Sequence, residues 1–308
     1  MFRLKPGCCV AACLFAIMTP LALMAQEKLE PTAKNVSYGP HERNVLDFWK
    51  AESEGPAPLV IYIHGGGFRN GSKESLNQGK LRQLLDAGIS VAALNYRLLA
   101  QERLPAAHHD CRRAVQFLRT KSKEWNLDGG RFGAFGGSAG AQICMYLAFH
   151  DEMAKPESED PIERQSTRLK CVATSGGQTT MDFRWWRENI PGYEKPHREP
   201  AEYFGEIPEE TRLKIIEDIA ALKLLTKDDP PIYMQYGMAP NDPEPADQNR
   251  VQGWRVHHVN FGVALLEKAK KLDVPAYLRY RGANPQFPAD VEFFRHYLLL
   301  KNGDAKKE

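Results

Sequence analysis

Apolar residues recur along this chain as short unbroken runs separated by longer stretches with helical spacing. Pro58-Leu59-Val60-Ile61-Tyr62-Ile63 is one such run. It is rich in β-branched residues and lacks polar alternation, the pattern of a strand covered on both faces. Residues 89–94, 132–135, 169–175, 232–236 and 276–280 repeat it. Between these runs, apolar positions fall three and four apart. Leu81, Leu84 and Leu85 do so within 76–87, and Ala107, Cys111, Ala114, Val115 and Leu118 do so after Pro105. Ile143, Cys144, Leu147 and Ala148 follow within 141–150, and helices are also expected over about 260–272 and 289–300. Residues 36–39 and 44–50 flank a polar turn and read as an N-terminal hairpin. Strand, loop and helix in alternation predict an α/β architecture: a mostly parallel, doubly wound sheet with helices on both faces.

Three stretches break the rhythm. Residues 151–167 are charge-rich and read as a surface loop. Residues 181–225 hold Trp185, Trp186, Pro191, Pro196 and Pro200, then a helical run opening at 207–210, and read as a lid or cap inserted over the sheet edge. Residues 237–256 read as a long loop. The N-terminus differs again. Arg3 and Lys5 precede an uncharged run ending at Leu23-Met24-Ala25, and polar residues follow. That is the layout of a signal peptide, 1–25, cleaved after Ala25 and leaving one domain over 26–308. Pro20 interrupts a run barely one span long, so no stable membrane span is expected after signal removal. A secreted or periplasmic location follows from this reading.

Charge and cysteine count narrow the picture further. The formal charge is +2, with Arg3 and Lys5 included, and no basic tract points to nucleic acid. Three of six cysteines fall in the leader. Cys111, Cys144 and Cys171 sit in apolar patterns and read as small core residues rather than a disulfide framework. His108 and His109 are adjacent on a helix, about 100° apart, and so are poor co-ligands for a metal.

The candidate chemistry begins at Gly136-Gly137-Ser138-Ala139-Gly140, where a strand ends and a helix starts. This fits G-x-S-x-G, a turn that presents its serine on a strained backbone. A serine hydroxyl needs a base to take its proton and donors where an oxyanion develops. His64-Gly65-Gly66-Gly67 follows a strand and can offer backbone N–H groups, with that of Ala139 as a further donor. His64 reads as a residue that holds this loop rather than as the base.

The chain resembles the α/β-hydrolases of the HGGG type, an esterase and lipase group with secreted carbohydrate-esterase-like members. The likeness rests on residues 64–68, Asn95-Tyr96-Arg97-Leu98, 105–118 with Asp110, 136–140 and 226–231, and spans about 58–300. It implies the α/β-hydrolase fold, Ser138 as nucleophile, and Gly66, Gly67 and Ala139 as the oxyanion hole. It also implies hydrolysis of a small-molecule or carbohydrate carboxylic ester through an acyl-enzyme, without cofactor or metal. Members of the group place an acid after the strand read at 232–236 and a histidine after the strand read at 276–280. Here that last loop is Arg281-Gly282-Ala283-Asn284-Pro285-Gln286-Phe287, with no histidine, and His296 lies well along the final helix.

A triad is defined by geometry rather than chain order, so the base can have moved. His257 and His258 stand at the end of the 237–256 loop, where the same sheet edge is expected. His258 or His257 is then the base and Asp242 the orienting acid, with Glu244, Asp247 and Asp182 as other acids within reach. The alternative is a binding module that keeps the elbow for its backbone and turns over weakly or not at all. Trp185 and Trp186, if exposed together, would suit stacking on sugar rings; packing the lid to the body is their other reading.

Overall fold

The computed structural model describes Phe2 and residues 28–300, and the signal peptide read at 1–25 otherwise lies outside the described residues. Strands β1 (Ala33–Ser37) and β2 (Val45–Trp49) form the expected hairpin. Then come β3 (Ala57–Ile63), α1 (Gln78–Asp86), β4 (Ser90–Leu94), α2 (Ala106–Thr120), α3 (Ser122–Trp125), β5 (Leu127–Gly137), α4 (Ala139–Phe149) and β6 (Cys171–Ser175). The connection to β7 (Ile232–Gln235) carries four short helices: α5 (Phe183–Asn189), α6 (Pro200–Phe204), α7 (Glu209–Asp218) and α8 (Ala221–Leu224). Helices α9 (Gln248–Val256) and α10 (Asn260–Lys271), strand β8 (Ala276–Arg279) and helix α11 (Asp290–Leu299) complete the chain.

The eight strands form one sheet in the order β1-β2-β4-β3-β5-β6-β7-β8. β2 runs antiparallel to both β1 and β4, and every later pairing is parallel. In register, Ile61 lies between Ala92 of β4 and Ala134 of β5. This is the α/β-hydrolase fold, mostly parallel and doubly wound as the apolar runs require.

Unbroken apolar strands need cover on both faces, and two cores supply it. On one face Leu81 and Leu84 of α1 pack with Val291, Phe293, Phe294 and Leu298 of α11 against Val60, Val91 and Phe135. On the other, α2, α4 and α10 cover Leu59, Ile61, Ile63 and Val172. All residues of α4 are buried, which fixes the helix that follows Ser138. Each large apolar side chain so buried contributes about 1.5–3 kcal/mol. Cys111, Cys144 and Cys171 are buried free thiols.

One sequence expectation needs revision. Residues 248–256, read as loop, form α9, capped by Asp247, whose carboxylate accepts from the Asn249 N–H. Its apolar stripe is only Val251 and Trp254, too thin for periodicity to register. The packing reading of Trp185 and Trp186, by contrast, holds. Trp186 is fully buried and donates to the Thr180 carbonyl at 2.8 Å, and Trp185 stacks on Phe261 with ring centroids 5.2 Å apart.

Candidate active site

Strand β5 delivers Ser138 to the carboxyl edge of the sheet, and α4 leaves from it. Ser138 has φ 52° and ψ −118°, a positive φ outside the regions an L-residue ordinarily occupies. The contacts around it hold it there: its N–H donates to the Ser175 carbonyl at 2.9 Å, and its own carbonyl accepts from Gln142 at 3.0 Å. A methyl group at Gly140 would overlap the Ile63 carbonyl oxygen, so α4 approaches β3 backbone to backbone.

The loop after β3 lies beside it. Gly66 and Gly67 have φ of 106° and 59°, conformations that turn their peptide N–H groups away from the regular strand direction. Among the described residues, no acceptor pairs with the N–H of Gly66, Gly67 or Ala139. His64 is wholly buried and stacks on Tyr96 at 4.2 Å. Its Nδ1 lies 2.8 Å from the Gly65 carbonyl, and burial holds its pKa at about 4. It braces the loop, as read from the sequence.

The structure separates the two adjacent histidines. His257 Nε2 lies 2.9 Å from Ser138 Oγ. His258 points into the protein instead: it is fully buried, edge-on to Trp254 at 4.5 Å, with Nδ1 accepting from the Asn260 N–H. The placement of His258 at Ser138 is therefore corrected. The reason is where α9 ends: His257 is its C-cap, and the chain leaves the helix there, so His258 folds back onto Trp254 of the helix's buried side.

The acid is corrected as well. His257 Nδ1 lies 2.9 Å from the Gly253 carbonyl, one turn earlier in α9, and this bond requires the Nδ1–H tautomer that leaves Nε2 free to accept from Ser138. Asp242 does not orient it. One Asp242 oxygen takes both the Ala239 N–H at 2.7 Å and the Arg281 guanidinium at 2.6 Å. Glu244 pairs with Arg255, Asp247 caps α9, and Asp182 caps α5 while pairing with Arg184. Each carboxylate is thus engaged by a group other than His257. Burial pushes the His257 imidazole below its ordinary pKa, and the Gly253 bond offsets part of that.

Gly176, just past β6, makes room for the ring. It has φ +56°, and a methyl there would lie 3.2 Å from His257 Cδ2. Sequence reasoning missed this residue, although Gly176-Gly177 at a strand end was a signal that could have found it.

Two hollows meet at Ser138 and His257. One, of about 420 Å³, is bounded by the Gly66–Gly67 loop, Met181, Trp186, Arg198 and Tyr203. The other, of about 920 Å³, lies toward Met238, Asp242, Arg250, Trp254 and Arg281. The loop after β8 contributes Arg281 to the second hollow, where related chains are expected to place their histidine.

Residues 46–246 match the BD-FAE family model. The chain belongs to the BD-FAE family. The match takes in Gly66, Gly67, Ser138 and Ala139 but stops before His257. Among curated proteins, ethyl acetate hydrolase of Pseudomonas putida is 34% identical over 124 residues, 38% of this chain and 39% of that protein. The chain spans about half the length of the curated relatives it matches. In fold, this BD-FAE chain is similar to an acetyl ester-xyloside bifunctional hydrolase from Caldicellulosiruptor lactoaceticus. The TM-score is 0.59 at 23% identity, covering 77% of this chain and 76% of the other. It is also similar to a truncated carbohydrate esterase from gut microbiota, with a TM-score of 0.67 at 17% identity over 87% of this chain and 96% of that one.

Proposed function

We propose that the protein is a serine-dependent carboxylic-ester hydrolase working through an acyl-enzyme. The observation that carries this reading is the 2.9 Å contact between His257 Nε2 and Ser138 Oγ. In this mechanism Ser138 Oγ attacks the ester carbonyl carbon while its proton passes to His257 Nε2. The carbonyl oxygen, now negative, turns to the N–H groups of Gly66, Gly67 and Ala139, each such donor being worth about 3–4 kcal/mol. Collapse breaks the bond to the alcohol oxygen, which takes the proton back from Nε2. A water then attacks the acyl-enzyme by the same route, and Ser138 regains its proton.

Proton transfer leaves a transient imidazolium, and among the described residues no carboxylate bonds to its Nδ1. Two features of α9 take that role. The Gly253 carbonyl accepts from Nδ1, and His257 is the C-cap of the helix, where the carbonyl ends of the peptide dipoles converge. A helix C-terminus carries roughly half a negative charge and can stabilise a partly buried histidinium by up to ~2 kcal/mol.

The substrate class follows by analogy with the named neighbours: an acylated carbohydrate, with the ester at the waist between the two hollows. The helices between β6 and β7 act as a cap, a reading supported by Trp186, Arg198 and Tyr203 at the wall of the smaller hollow. Residues 1–25 serve as an export signal, so the enzyme works outside the cytoplasm; an exported protein whose first residue is not Gln26 would count against the assigned cleavage. The central test is hydrolysis of a short-chain aryl acetate, together with fluorophosphonate labelling. Wild type is expected to turn over and to label at Ser138, and Ser138→Ala and His257→Ala to lose at least about a thousandfold in kcat. Absence of both turnover and labelling in the wild type would favour a binding module.

A further inference from the structure

Arg198 enters the smaller hollow from the segment between α5 and α6. Its Nη1 donates to the Gly67 carbonyl at 2.9 Å, and its Cζ lies 5.5 Å from the Tyr203 ring centroid. The guanidinium therefore rests against the same loop that supplies Gly66 and Gly67, in the hollow that holds Ser138 and His257. Among the described residues no carboxylate comes within 4.0 Å of it. Glu202 is paired with Arg69 at 3.6 Å, and Glu199 caps α6.

The rest of the wall is electrically quiet. Gln178, Asn249 and Gln252 are neutral amides. His197 lies between the Tyr193 and Tyr203 hydroxyls, each 3.0 Å away, and burial holds its pKa at about 4, so it is uncharged near neutrality. His257 is also held low by burial. Among the described residues the wall of this hollow thus carries one formal charge, the Arg198 guanidinium, with no carboxylate paired to it. In the larger hollow Arg281 is matched by Asp242, and Arg250 is a further cation on its wall, set on the far side of Ser138 from Arg198.

A half-buried guanidinium in an aromatic hollow attracts an anion more strongly than in water, and its planar fork matches a carboxylate. We propose that Arg198 is a specificity-determining residue that selects esters bearing a second, free carboxylate close to the scissile carbonyl. This rests on the ester-hydrolase reading. The carboxylate lies on whichever part of the substrate occupies the smaller hollow, acyl or alcohol.

The test compares kcat/KM for two matched pairs. One pair is 4-nitrophenyl hemisuccinate against 4-nitrophenyl 4-methylpentanoate, with the charge on the acyl side. The other is 4-acetoxybenzoate against 4-isopropylphenyl acetate, with the charge on the alcohol side. In wild type the charged member of at least one pair is expected to be preferred at least about tenfold. Arg198→Gln should abolish that preference, and Arg198→Lys should retain part of it. The ratio within a pair cancels any general loss from the Gly67 contact. A ratio in both pairs that Arg198→Gln leaves unchanged would overturn the proposal. So would an equal fall in both members, which would mark Arg198 as a residue that only positions the loop. If wild type cleaves neither neutral nor charged esters, the hydrolase reading itself fails and the proposal falls with it.

Discussion

Removing the acid side chains near the site should not slow the reaction. In a Ser-His-Asp triad, converting the acid to its amide costs about ten thousandfold in kcat, or roughly 5 kcal/mol. Here the Nδ1 partner is the Gly253 carbonyl at 2.9 Å, which no side-chain substitution removes. Asp242 is occupied by Ala239 and by Arg281, whose side chain is 72% exposed. An exposed ion pair of that kind is worth about 0–1 kcal/mol of stability. Asp242→Asn is therefore expected to melt close to wild type and to leave kcat within about threefold, a barrier change near 0.7 kcal/mol. Glu244→Gln, Asp247→Asn and Asp182→Asn should behave alike, with Asp247→Asn keeping an N-cap. The assay is steady-state hydrolysis of an aryl acetate at saturating substrate, with circular dichroism melts on the same preparations. A loss near ten thousandfold in any one variant that still folds would show that a carboxylate reaches His257 during turnover, and would refute a backbone-oriented base.

Other outcomes follow from the same geometry. His257 must be neutral to accept the Ser138 proton, and its folded pKa is lowered by burial, so the acidic limb of kcat/KM against pH should lie below 6.5. A limb at or above pH 7 would contradict this. Gly176→Ala places a methyl against the imidazole at a left-handed φ; kcat should fall by about ten- to a hundredfold, with a stability loss of about 1 kcal/mol in a urea melt. Asp110→Ala removes a carboxylate that holds both the Arg97 guanidinium, at 2.7 Å, and the Arg97 backbone N–H, at 2.9 Å. It should cost about 2 kcal/mol of stability in denaturant, while activity per folded molecule stays near wild type.

Most of the sheet was legible because strands buried on both faces write continuous apolar runs, as at 58–63 and 232–236. The elbow and the loop at 64–67 were legible because tight main-chain geometry demands glycine. The base was only half legible. Once α9 is known, Val251 and Trp254 define its buried side, and His258, just past the C-cap, packs on Trp254 while His257 meets Ser138. Without the helix, the two adjacent histidines could not be told apart. The polar composition of 248–253 hid that helix, although Asp247 was available as its cap. The orienting group could not have been read at all, because a carbonyl oxygen has no letter in a sequence. Expectation therefore fell on Asp242, whose charge answers to Arg281 instead.

With the base on α9, the proposed reacting groups all fall between residues 64 and 257. The last segment of the fold, from α10 through β8 to α11, then supplies no reacting group and mainly completes the sheet and its cover. Selection on that portion would concern folding and the wall residue Arg281, leaving the turn at 282–286, between Arg281 and the buried Phe287, free to drift in length and composition. It is accordingly the place to graft a carbohydrate-binding loop or an affinity handle at the rim of the larger hollow without disturbing proton transfer.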